Sequence, residues 1–89
     1  MSDNAGKYAV QLASEWDAAD AQAAYRALQG KYGSVLGDQQ PRIVRIEQSN
    51  KGVYYRVMVG QFTTAPEATQ FCDSLKALGG SCLVQCDRC

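Results

Sequence analysis

Residues 8–16 read YAVQLASEW, with Tyr8, Val10 and Leu12 alternating with Ala9, Gln11 and Ala13. Alternation at period two predicts a strand with one buried and one exposed face. The same cadence returns in YRVMVGQF at 55–62. Sliding the chain by 47 positions superposes Tyr8 on Tyr55, Val10 on Val57, Leu12 on Val59, Ala21 on Ala68, Leu28 on Leu75, Gly33 on Gly80 and Ser34 on Ser81. Two copies are too few for a solenoid, so the repeat predicts a compact domain with two-fold pseudo-symmetry.

Each half continues from its strand into a helix. Asp17 and Asp20 put acidic groups beside the unpaired N–H groups that open the first one, where the helix dipole favours negative charge. Its apolar stripe is Ala21, Ala24, Tyr25, Leu28 and Tyr32. In the second helix Thr64 and Glu67 form a capping box around Pro66, which is tolerated in a first turn because its missing donor costs nothing there. Ala68, Phe71, Cys72 and Leu75 make its stripe, and Gly79 and Gly80 end it. GSVLGDQQP at 33–41 is loop-like. RIVRIEQ at 42–48 is a strand that turns through SNKG into VYYRVMVG, and SCLVQC at 81–86 is the last strand.

The order strand, helix, strand, strand, helix, strand predicts an α+β domain of ferredoxin-like or RNP-like βαββαβ topology. That is a four-stranded antiparallel sheet with two helices on one face. The other face is left to water and is the natural place for a ligand. If Val10, Leu12, Val57 and Val59 face the helices, then Ala9, Gln11, Ala13, Tyr54, Arg56 and Met58 face outward, joined from the last strand by Leu83 and Gln85. In the second strand Ile43 and Arg45 compete with Val44 and Ile46 for the core, and alternation does not choose between them. The outward set makes a shallow floor of small residues flanked by an aromatic, amides and a guanidinium, suited to a flat neutral ligand. It equally fits an ordinary solvated sheet face.

The 89 residues suffice for one domain with a modest core. Nine Lys and Arg balance nine Asp and Glu, so the electrostatic footprint expected for nucleic acid or anionic membrane is missing. The start MSDNAGKY has neither the apolar stretch nor the cleavage site of a signal peptide. Residues 1–6 read as a chain boundary or the end of a linker, 7–86 as the domain and 87–89 as a C-terminal tail.

No catalytic apparatus is legible. With no histidine in the chain the usual general base is missing, and Asp17, Asp20, Asp38, Glu47, Glu67 and Asp73 fall in caps, loops or exposed helix faces. No cofactor is expected. The four cysteines are more telling. Cys82 and Cys86, four apart on a strand, lie ~13 Å from each other by strand rise, which argues against both a mutual bridge and a four-thiolate metal site. Cys72 on the core stripe and Cys82 at the head of the next strand are placed to meet as a disulfide, with Cys86 and Cys89 bridged or free. Buried free thiols are the alternative.

YAVQLAS, GVYYRVMVGQF and EATQFCDSLKALGGSCLV together resemble the SPOR domain, the sporulation-related repeat of bacterial cell-envelope proteins, over about residues 7 to 85. GVYYRV and FCxxLKxxGGxC are most similar to alphaproteobacterial members. The resemblance implies a peptidoglycan-binding module, periplasmic and targeting its parent protein to the division septum by preferring glycan strands stripped of stem peptides. It implies that Gln11 and Ser14 of the first strand, Tyr54 and Arg56 of the third and Leu83 of the last carry binding. Two departures stand out. Glu15 and Trp16 replace a serine-following phenylalanine, leaving Trp16 either in the core or exposed beside the site, and Gly60-Gln61-Phe62 replaces a Gly-Pro-Phe.

The expectation is therefore a monomeric, non-catalytic module that binds glycan through Gln11, Ser14, Tyr54, Arg56, Met58, Leu83 and Gln85, without membrane contact of its own. The competing classes are a single-stranded nucleic-acid binder of the same topology and a protein-interaction module.

Overall fold

The structure is a computed structural model that describes residues 7–37, 39–50 and 52–86. The expected linker at 1–6, the tail at 87–89 with Cys89, Asp38, and Lys51 of the SNKG turn lie outside the described residues. The elements are β1 (Tyr8–Glu15), α1 (Ala18–Lys31), α2 (Gly33–Leu36), β2 (Arg42–Gln48), β3 (Gly52–Phe62), α3 (Ala65–Ala77) and β4 (Leu83–Cys86). The strands form one antiparallel sheet in the order β2-β3-β1-β4. The two halves of the repeat thus bring their first strands, β1 and β3, side by side at its centre. α1 packs on β1 and β3 and α3 on β1 and β4, giving the α+β ferredoxin-like arrangement.

Both helix starts form as their residues dictate. The Asp17 carboxylate accepts from the Ala19 N–H at 2.9 Å. At Thr64 the capping box closes: Glu67 N–H donates to the Thr64 hydroxyl, and the Glu67 carboxylate accepts from the Thr64 N–H. Ala21, Tyr25 and Tyr32 of the first stripe and Ala68, Cys72 and Leu75 of the second are buried with Val10, Leu12, Val57 and Val59, and Leu28 and Phe71 pack against them, each fully buried aliphatic side chain contributing about 1.5–3 kcal/mol of transfer energy. Cys72 and Cys82 form a disulfide with Cα atoms 5.8 Å apart, which fastens α3 to the residue before β4. Cys86 is also disulfide-bonded.

The segment 33–41, expected as a loop, begins with one helical turn. The N–H groups of Val35 and Leu36 donate to the Tyr32 carbonyl at 3.0 and 2.9 Å, and the turn carries Leu36 fully into the core. A single turn is too short to display the helical period, so the pattern hides it. The last strand starts at Leu83, two residues later than expected. The undecided second strand is settled by its pairing. Ile43 faces Val57 and Arg45 faces Tyr55, whereas Val44 and Ile46 face Arg56 and Tyr54. Ile43 packs on the core, while Arg45 keeps water by pairing with Glu47 on the same side of this edge strand.

Candidate functional site

The central ladder between β1 and β3 is irregular at two places, and these decide what the open face presents. Tyr8 pairs with Phe62 and Val10 with Val59, so two steps on β1 meet three on β3. The extra residue falls beside Gly60, whose φ of 84° is a backbone conformation that only glycine adopts freely. Further along, Gln11 pairs with Met58 and Ala13 with Val57, so two steps on β1 meet only one on β3. Leu12 is the extra residue here, and it stays in the core.

That second bulge inverts the alternation of β1. Before it, Val10 faces the helices and Gln11 the open side; after it, Ala13 pairs with core-facing Val57 while Ser14 pairs with Arg56. The outward placement of Ala13 is therefore corrected: it packs on the core. Strict alternation would have pointed Ser14 and Trp16 the same way as Leu12. The bulge instead turns Ser14 to the open face, and two residues further on Trp16 stands beside Tyr54.

A shallow cavity of about 420 Å³ opens on this face. Gln11, Ser14, Tyr54, Arg56, Leu83 and Gln85 all line it. Gln85 on β4 donates its amide N–H to the Gln11 side-chain carbonyl at 3.1 Å, which fixes both side chains and leaves one amide NH₂ and one carbonyl of the pair for a ligand. Arg56 donates to the Tyr54 hydroxyl at 3.1 Å. The guanidinium carbon also lies over the same ring, 5.7 Å from its centroid, so Arg56 holds Tyr54 in place. Leu83, 59% exposed, stands at the β4 margin across from Gln11.

Met58 is on the expected face, directly across from Gln11, but it is only 2% exposed. Ala9, also on that face, is fully buried. These two residues are floor beneath the surface, since at the sheet centre the neighbouring side chains close over them. Sequence reasoning did not assign Glu15, Trp16 or Gln48 to the site, although all three line the cavity. Trp16 is 71% exposed, which answers whether it enters the core. Its ring centroid lies 6.3 Å from that of Tyr54, with the planes 71° apart. The only signal for it in the sequence was its displacement by one place from the phenylalanine position, which is what a one-residue bulge produces.

A larger cleft of about 800 Å³ lies at the other end of the sheet between α2 and the end of β3. Its aromatic ring, Phe62, is engaged with Phe71, and it brings together no aromatic face with a fixed amide pair. Among the described residues no group of acidic, cysteine or histidine side chains is arranged to hold a metal ion. No helix among them is long and apolar enough to cross a membrane.

A family model described as the SPOR domain matches residues 4–85. No curated protein and no solved structure matches the chain.

Proposed function

The chain belongs to the SPOR domain family, a family of peptidoglycan-binding modules of cell division proteins and not of catalysts, and from that premise we propose that its open sheet face binds the glycan backbone. The convergence of Gln11, Ser14, Tyr54, Arg56, Leu83 and Gln85 on one cavity carries this reading. Tyr54 offers its ring face to the apolar face of a sugar. The Gln11–Gln85 amide pair, the Ser14 hydroxyl and the Arg56 guanidinium supply directed hydrogen bonds to sugar hydroxyl and amide groups. Met58 and Ala9 support this surface from below.

The floor is shallow, so a strand bearing stem peptides would be held off it, and a denuded strand would lie flat. We therefore assign the preference to denuded glycan, with the module acting in the periplasm to bring its parent protein to septal peptidoglycan. The oxidised cysteines fit that compartment. The balanced charge favours a weakly charged ligand over a nucleic acid.

Co-sedimentation with sacculi before and after amidase treatment tests the reading. Binding that rises after treatment supports it. Unchanged binding removes the denuded preference, and binding to neither overturns the function. Tyr54→Ala is expected to abolish binding while leaving the circular dichroism spectrum unchanged.

A further inference from the structure

We propose that Trp16 forms a second stacking subsite beside Tyr54, so that the cavity takes at least two consecutive sugar rings. The proposal rests on the glycan-binding reading above and adds to it a residue outside the binding set that the family resemblance implies.

The large apolar side chains exposed among the described residues are Trp16, Leu78 and Leu83, and two of these three line this one cavity. Single exposed apolar residues are ordinary, but a group of them around polar anchors marks a ligand surface. The Trp16 and Tyr54 rings meet at 71°, so their faces point in different directions and cannot both stack on one planar ring. They make a corner whose two faces suit successive rings of a chain. The length of the site agrees: with Leu12 bulged out of the ladder, the strand still advances about 13 Å from Gln11 to Trp16, well beyond the width of one sugar ring. Gln48, the last residue of β2, lines the same cavity and supplies an amide for hydrogen bonds.

Trp16 is the only tryptophan in the chain, so its emission reports on this subsite alone. The experiment is a fluorescence and calorimetric titration of the wild-type chain, Trp16→Ala, Trp16→Phe and Tyr54→Ala with amidase-treated glycan di- and tetrasaccharides. For the wild type we expect the tetrasaccharide to bind more tightly than the disaccharide and to shift the emission. Trp16→Ala is expected to lose roughly fivefold to tenfold affinity for the tetrasaccharide and less than about twofold for the disaccharide, with Trp16→Phe recovering most of the loss. Equal loss on both lengths means that Trp16 only orients Tyr54, and it overturns the subsite. Unchanged affinity in Trp16→Ala overturns it too. In both cases, binding by the wild type that Tyr54→Ala removes leaves the glycan reading standing, whereas absence of wild-type binding to either length overturns both.

Discussion

Ser14 stands directly across the β1–β3 ladder from Arg56 because Leu12 is one residue too many for the partner strand. A hydroxyl that alternation assigns to the core is thereby set beside a guanidinium at the cavity wall. Neither group is part of the apolar core, so their removal separates binding from folding. Ser14→Ala is expected to weaken glycan binding by about 1 kcal/mol and Arg56→Ala by about 1.5–3 kcal/mol, since hydrogen bonds from charged donors are the stronger. Calorimetry on denuded glycan measures this. Urea denaturation should find both variants within about 0.5 kcal/mol of the parent.

Met58 shares the face of Gln11 but lies beneath the surface, so its substitution should act on stability. Met58→Ala is expected to cost about 2–5 kcal/mol, as for other buried large-to-small changes, and Met58→Leu less than about 1.5 kcal/mol. Denaturant unfolding of the two variants checks the difference.

Gly60 turns the end of β3 with φ at 84°, and a Cβ there would lie 2.2 Å from a Phe62 ring atom. Gly60→Ala must therefore adopt an unfavourable backbone conformation, at about 1–2 kcal/mol, and also displace the Phe62 ring from Phe71. The expected outcome is a loss larger than the backbone cost alone, read as a lowered denaturation midpoint. Gly60→Ala with Phe62→Ala should be less than additive, because the two changes share one contact.

The Cys72–Cys82 bridge closes a loop of sequence separation 10. In the chain-entropy account such a loop contributes about 2–3 kcal/mol, and here it also fixes the residue next to Leu83. Replacing both cysteines by alanine is expected to lower stability by about that amount. In the same variant, hydrogen exchange at β4 should rise more than at β3, since β4 is a four-residue edge strand.

Tyr25 is buried on the α1 stripe and donates its hydroxyl proton to the Gln39 carbonyl at 2.7 Å. Burial pushes this phenol above its ordinary value of 10.0. The folded chain therefore keeps the proton where the unfolded chain has released it. This contribution is complete below 10.0 and is lost as pH rises through the raised value. Urea midpoints measured on either side of pH 10.0 should fall less steeply for Tyr25→Phe than for the parent.

Much of this domain follows from local pattern. The strands and the two long helices are written in the period-two and helical spacings of YAVQLASEW and its repeat, and both helix starts in side chains next to the orphan N–H groups they satisfy. Gln11, Tyr54, Arg56, Leu83 and Gln85 reach one face by alternation alone. What alternation cannot encode is a change of phase. The extra residues at Leu12 and beside Gly60 exist only as a mismatch between two paired strands, and no property of either strand alone carries it. For that reason Ala13 belongs to the core, and Ser14 and Trp16 join the cavity, only once β1 lies against β3. The same holds for Ile43 and Val44, whose faces were indistinguishable until pairing with Val57 and Arg56 set them. Depth is also a tertiary property: Met58 and Gln11 share a face, but position at the sheet centre buries the first and leaves the second at the surface.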